Sequence, residues 1–121
     1  MYELTIESRF SAAHAILIDG EPEPIHGHDW KVRVTLAGDT LDENGLLCDF
    51  HTVEEMVEEI TGRFHNRHLN ELAPFCDGVN PTAELVAKHI ADRVLGSLPE
   101  DVRLKHVQVT EAPKCTITYK P

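Results

Sequence analysis

The sequence predicts an α+β domain: an antiparallel four-stranded sheet carrying two helices on one face. Three observations predict it. Period-2 alternation of apolar and polar residues occurs near both ends of the chain, as in half-buried strands. Two apolar stripes of helical spacing lie between them. The resulting order, β-β-α-α-β-β, is the one expected when helices segregate to one face of an antiparallel sheet. At 121 residues, with no internal linker or repeat, the chain reads as one domain over residues 1–121, long enough to bury about two-thirds of its unfolded surface.

Residues 2–14 alternate, with Tyr2, Leu4, Ile6 and Phe10 on one side and Glu3, Thr5, Glu7 and Arg9 on the other. The even parity continues through Ala12 to His14. Asp19-Gly20, Pro22 and Pro24 make residues 15–25 a loop. A second strand runs from about His28 to Ala37, where Trp30, Val32, Val34 and Leu36 alternate with Lys31, Arg33 and Thr35. The first helix begins near Thr52, which has capping-box spacing to Glu55. Val53, Met56, Val57, Ile60 and Phe64 form its apolar stripe. The second helix begins at Asn80-Pro81, a cap candidate followed by a first-turn proline. Val86, Ile90, Val94 and Leu98 continue it, with Gly96 and Pro99 closing it. Strands over 104–111 and 115–119 finish the chain.

Eleven Lys and Arg stand against 21 Asp and Glu, a formal net charge of −10. That field repels phosphate backbones and anionic lipid, so neither nucleic acid nor membrane is an expected partner. No apolar run approaches the ~18 residues a membrane helix needs, and Met1-Tyr2-Glu3-Leu4 does not resemble a secretory leader. Cys48, Cys76 and Cys115 are an odd number without CxxC spacing, which disfavours a disulfide framework and fits a reducing, cytoplasmic setting.

The eight histidines carry the chemistry. His26-Gly27-His28 places two imidazoles on one face of a strand start by the period-2 rule. Gly27 between them permits close backbone approach and whatever φ the turn into the strand requires. His14 shares the parity of the first strand's apolar face. If the two strands are antiparallel neighbours, its ring meets the pair. Three neutral imidazoles suit Zn²⁺ and leave a fourth position for water or substrate.

Phe10-Ser11-Ala12-Ala13-His14, His26-Gly27-His28-Asp29-Trp30, Gly45-Leu46-Leu47-Cys48-Asp49-Phe50 and Val109-Thr110-Glu111 together resemble the 6-pyruvoyl-tetrahydropterin synthase family, which includes the 6-carboxytetrahydropterin synthases of deazaguanine biosynthesis. The resemblance spans nearly the whole chain. It implies the tunnelling fold, with trimeric rings stacked into a hexamer, zinc on His14, His26 and His28, and a pterin substrate. It also implies that Glu111 anchors the pterin, since one carboxylate can accept from the ring N–H and the amino group side by side. Glu84, with Thr82 nearby, matches a second acid of the family, although a first-turn glutamate equally suits the helix macrodipole.

Two departures bear on the reaction. The pyruvoyl- and carboxy-forming members have a cysteine four residues before the first histidine of HGH; here that position is Pro22, and Glu23 stands three residues before His26. The ExxHGH arrangement resembles a subgroup with glutamate for cysteine, which implies cleavage of 7,8-dihydroneopterin triphosphate to 6-hydroxymethyl-7,8-dihydropterin for folate synthesis, with Glu23 as general base. Outside that resemblance Glu23 reads as a solvated loop acid. The family's Asp-His relay aligns with His65-Asn66, so the carboxylate is absent; His65 or His68 is the candidate to carry protons. The alternatives left open are a 6-pyruvoyl- or 6-carboxy-tetrahydropterin synthase and a non-catalytic zinc- and pterin-binding homologue.

Overall fold

Residues 1–121 are described by a computed structural model. The unbroken alternation of the first segment makes β1 (Tyr2–His14). A small hairpin follows, β2 (Leu17–Ile18) with β3 (Glu21–Pro22), before the long β4 (His26–Gly38). Next come α1 (Phe50–Gly62), the two-residue β5 (Arg67–His68) and α2 (Ala83–Leu95). Two strands close the chain, β6 (Arg103–Ala112) and β7 (Cys115–Tyr119).

The main sheet runs β5-β1-β4-β6-β7. Leu4, Ile6, Phe10 and Ala12 of β1, Trp30 to Leu36 at even positions of β4, and Val107 and Val109 of β6 share one buried face. They join Val53, Val57 and Ile60 of α1 and Val86, Ile90 and Val94 of α2 in a single core. Glu3, Thr5, Glu7 and Arg9 on the other face of β1 are exposed. Both helices therefore cover one face, as the parity requires.

Four details correct the sequence expectation. The sheet has five strands and is mixed, because β5 pairs parallel to β1 through Ala12–Arg67 and Ala13–His68. A two-residue strand has no periodicity to read. The cap of α1 is Asp49, not Thr52: the Asp49 side chain accepts from the His51 N–H at 2.8 Å, and Thr52 lies inside the helix. The cap of α2 is Thr82, whose hydroxyl accepts from the Leu85 N–H at 3.2 Å. Asn80 is thereby released for another task. The β4 strand also starts two residues early, at His26.

Removing a capping acceptor costs about 1 kcal/mol. Asp49→Ala is expected to lower unfolding free energy by that amount in a urea titration, whereas Thr52→Ala leaves it unchanged or slightly higher because alanine is the better helix former. The reverse ranking would return the cap to Thr52.

Candidate metal and substrate site

Register brings the histidines together. In the antiparallel β1–β4 pair, His14 is the direct partner of His26, and Ala12 is the partner of His28. Directly opposed residues in such a pair have Cβ atoms roughly 5 Å apart on one face, and the residue two further along shares that face. The rings accordingly cluster, with centroid separations of 4.7 Å (His14–His26), 4.6 Å (His26–His28) and 5.4 Å (His14–His28). Trp30 floors the cluster, fully buried and edge-on to His14 at 4.9 Å, with its indole N–H donating to the Ala12 carbonyl at 3.2 Å.

A fourth donor comes from the neighbouring strand. Val107, Val109 and Glu111 share parity on β6, so Glu111 projects from the core face beside β4. The register between β6 and β7 shifts at Thr110/Ala112, so regular pairing breaks at this residue. Donor atoms of His14, His26, His28 and Glu111 all lie within 4.8 Å of one another.

The protons of two rings are fixed by acceptor-only partners. The His14 Nδ1 faces the Pro81 carbonyl at 2.8 Å, and the His26 Nδ1 faces the Pro24 carbonyl at 3.0 Å. A carbonyl cannot donate, so each Nδ1 carries the hydrogen and each neutral ring presents a lone pair at Nε2. Those two Nε2 atoms are 3.1 Å apart, and the Glu111 Oε1 lies 2.8 Å from the first. The His28 Nε2 is 3.8 Å from the same oxygen. Burial holds the His28 pKa below its ordinary value, with the His26 and His14 rings adding to the depression against the opposing pull of Glu111; this favours the neutral, ligating form.

Converging lone pairs repel unless a cation lies among them. Donors at about 2.0–2.1 Å from a tetrahedral Zn²⁺ stand roughly 3.3 Å from each other, and separations of 2.8, 3.1 and 3.8 Å bracket that edge. The donor set of imidazoles plus carboxylate suits a divalent transition metal. The Pro81 and Pro24 carbonyls are the outer contacts that fix ligand tautomers.

Two asparagines whose role the sequence did not disclose secure the chain just beyond β1. Asn70 accepts from the Ala15 N–H and donates to the Ala15 carbonyl, at 2.9 and 2.7 Å. Asn80 does the same for Leu17, at 2.9 Å in both directions. Each side-chain amide thus replaces one residue of a missing partner strand. The signal for Asn80 was visible, but Asn-Pro reads more naturally as a helix start.

The remaining site residues are placed as follows. The Glu23 Oε1 accepts from the Ile16 N–H at 3.1 Å and lies 3.7 Å from the His26 Nδ1, so this carboxylate stands directly behind a cluster ring. Thr82 is one residue beyond the carbonyl that orients His14, with its hydroxyl committed to the helix cap. Glu84 is exposed in the first turn of α2, where the macrodipole favours it, and is not part of the donor cluster. His65 is also outside it: its Nδ1 accepts from the Ser11 N–H at 3.1 Å, tying it to a residue of odd parity on β1. His68 is outside the donor set too, with a buried Nε2 lacking a hydrogen-bond partner and Nδ1 3.6 Å from Glu71. Gly27 does not have the role expected of it. Its φ is not positive, and a Cβ there would meet only the Ala12 carbonyl oxygen at 4.0 Å.

A sequence model of the 6-pyruvoyl tetrahydropterin synthase family matches residues 3–121. The chain belongs to that family. It is 34% identical to the 6-carboxy-5,6,7,8-tetrahydropterin synthase of Bacillus subtilis, covering 99% of this chain and 86% of that one. It is 33% identical to the dihydroneopterin monophosphate aldolase of Pyrococcus furiosus, covering 84% and 82%. A 6-pyruvoyltetrahydropterin synthase structure from Plasmodium vivax superposes with TM-score 0.81 at 21% identity, over 99% of this chain and 97% of that one, which shows a shared fold. As a family member, this chain is a pterin synthase-type protein, with one relative named a synthase and another an aldolase.

Native mass spectrometry of protein dialysed against Zn²⁺ checks the donor set. One ion per chain is expected for wild type and for Gly27→Ala, while His28→Ala loses affinity by about 100-fold or more, as deletion of one ligand of a small set should. Full retention in His28→Ala would remove His28 from the set.

Proposed function

We propose that this protein is a zinc-dependent lyase that breaks the C1′–C2′ bond of a phosphorylated 7,8-dihydroneopterin, releasing 6-hydroxymethyl-7,8-dihydropterin. The observation that carries the reading is Glu23. A carboxylate, not a thiol, stands 3.7 Å behind the metal-facing ring of His26, and Pro22 occupies the position where the cysteine of pyruvoyl- and carboxy-forming members would be. The Pyrococcus relative is named an aldolase acting on a dihydroneopterin phosphate. Two Plasmodium vivax structures of this fold are titled as replacements of a catalytic glutamate, by cysteine and by alanine. The aldolase name fits carbon–carbon cleavage, and the glutamate replacements fit a catalytic carboxylate.

His14, His26 and His28 would hold the ion. When bound, zinc supplies a Lewis acid that lowers the pKa of the substrate's side-chain hydroxyls. Glu111 would take the pterin edge through its paired carboxylate oxygens. The Glu23 carboxylate, with Oε1 pinned by the Ile16 N–H, would accept the 2′-hydroxyl proton with Oε2. The C2′–O bond becomes a carbonyl as C1′–C2′ breaks, and the bonding pair passes into the dihydropterin ring before C1′ is protonated. The products are the hydroxymethylpterin and a two-carbon aldehyde that keeps the phosphate. His68 is the candidate to return the proton: with Glu71 3.6 Å away, it has the imidazole–carboxylate pairing that His65-Asn66 lacks. Glu84 and Thr82 take no part in this step: Glu84 is exposed outside the donor cluster, and the Thr82 hydroxyl caps α2.

Assembly into trimers or a stacked hexamer fits the molecule. The strands β5 and β7 leave the sheet open at both sides. Leu17, Ile18 and Ile25 expose more than half their surface on the segment that bears Glu23 and leads to His26. A second chain packed there would wall the substrate. Light scattering on metal-loaded protein is expected to give three or six chains; a monomer would contradict this part.

The reaction is tested by incubating zinc-loaded protein with 7,8-dihydroneopterin triphosphate and monophosphate and identifying products by mass. The expected pair is 6-hydroxymethyl-7,8-dihydropterin and a phosphorylated two-carbon aldehyde, with the better substrate fixing the phosphate number. Glu23→Ala should reduce turnover by about 100-fold or more, in the range of general-base removal, with metal content and oligomer unchanged. A carboxy- or pyruvoyl-tetrahydropterin product would overturn the proposal, and an unimpaired Glu23→Ala would remove the base.

A further inference from the structure

Glu111 has two claims on it that cannot be met at once. The pterin reading needs its carboxylate free to accept from the substrate. The geometry places that carboxylate among the metal donors, with Oε1 2.8 Å from the His14 Nε2 and 3.8 Å from the His28 Nε2. Three imidazoles and one carboxylate already make a complete tetrahedral set, which is how zinc is bound in structural sites rather than catalytic ones. A substrate oxygen would find no position.

The four donors differ in how firmly they are held. His14 is 1% exposed and locked by the Pro81 carbonyl at 2.8 Å, and His26 is oriented by the Pro24 carbonyl at 3.0 Å. Both rings rise from the strongly paired β1–β4 ribbon. Glu111 is 28% exposed and lies where the β6–β7 register shifts. Its carboxylate touches the two imidazoles and receives no hydrogen bond from any backbone or side-chain N–H or O–H donor outside them. It is the donor that can leave without disturbing the others.

We infer that Glu111 is a reversible fourth ligand, closing the donor set in the absence of substrate and drawn off it by a ring that offers two adjacent N–H donors. The inference rests on the metal and pterin reading above and adds a specificity role for Glu111. Two parallel charge-assisted hydrogen bonds compensate the carboxylate for the ligand bond it gives up. A molecule with suitable hydroxyls but without the paired N–H edge leaves the carboxylate in place and the set closed. The same residue thus recognises the pterin and makes opening of the site conditional on it. An unoccupied site stays closed to water and to unrelated diols.

The test uses the full chain loaded with Co²⁺ in place of zinc, read by visible absorption and by chelator competition. Wild type is compared with Glu111→Gln, Glu111→Asp and His28→Ala. Glu111→Gln keeps the size of the side chain but replaces a charged ligand by a neutral one, and should weaken metal binding by about 10- to 100-fold. Glu111→Asp, shorter by one methylene, should fall between the two. Adding plain pterin, which has no side-chain hydroxyl, should change the Co²⁺ spectrum of wild type, and glycerol should not. In Glu111→Gln, pterin should leave the spectrum unmoved. Metal affinity unchanged in both Glu111 variants, together with lost pterin binding, would reduce Glu111 to an anchor and overturn the inference. Unchanged metal affinity in His28→Ala as well would instead overturn the three-histidine site on which it rests.

Discussion

His14 and His26 face each other as partner residues at the open end of the β1–β4 ribbon, and that single register decides what the rest of the site can be. A slip of one residue would turn His14 to the opposite face of the sheet, away from His26 and His28. The register is set far from the site, by the alternation of Leu4, Ile6 and Phe10 against Val34, Val32 and Trp30 under two helices. The core therefore specifies the chemistry through strand pairing. Where the ribbon runs out of partners, Asn70 and Asn80 take over with side-chain amides on Ala15 and Leu17, so the strand end that carries His14 does not fray.

Tautomer control is the second constraint. Pro81 and Pro24 offer carbonyls to the Nδ1 atoms of His14 and His26, which leaves lone pairs at both Nε2 positions facing each other. Such an arrangement is costly with nothing between the donors and favourable around a divalent ion. In a chain of net charge −10, a bound ion would also give a local positive centre that an oxygen-rich, anionic ligand could approach. The family relation points to pterin chemistry, and under the proposed reading Glu23 would turn that chemistry towards carbon–carbon cleavage.

Period-2 parity was enough to read the clustering of the three histidines in the sequence. His14, His26 and His28 all lie on even positions of strands whose apolar faces are also even, so their convergence required only that the strands be antiparallel neighbours. Glu111 was legible as a site residue by parity with Val107 and Val109 and by family resemblance, but its place among the donors depends on how β6 lies beside β4, a long-range pairing no local pattern encodes. The same holds for Asn70 and Asn80, whose partners are 55 and 63 residues away. The strand β5 is too short for alternation. The helix starts moved because Asp49 and Thr82 each reach a free N–H of the first turn with unstrained extended backbone, and a capping-box pattern three residues later competes poorly with that. Gly27 invited an argument from conformational freedom that its ordinary backbone does not support.

The measurement that bears most directly on the whole account is anomalous diffraction at the zinc absorption edge from crystals of protein prepared with Zn²⁺. The account predicts one peak per chain lying about 2.0–2.1 Å from the Nε2 atoms of His14, His26 and His28. A peak bound elsewhere, or none while His14 still faces His26, would contradict it.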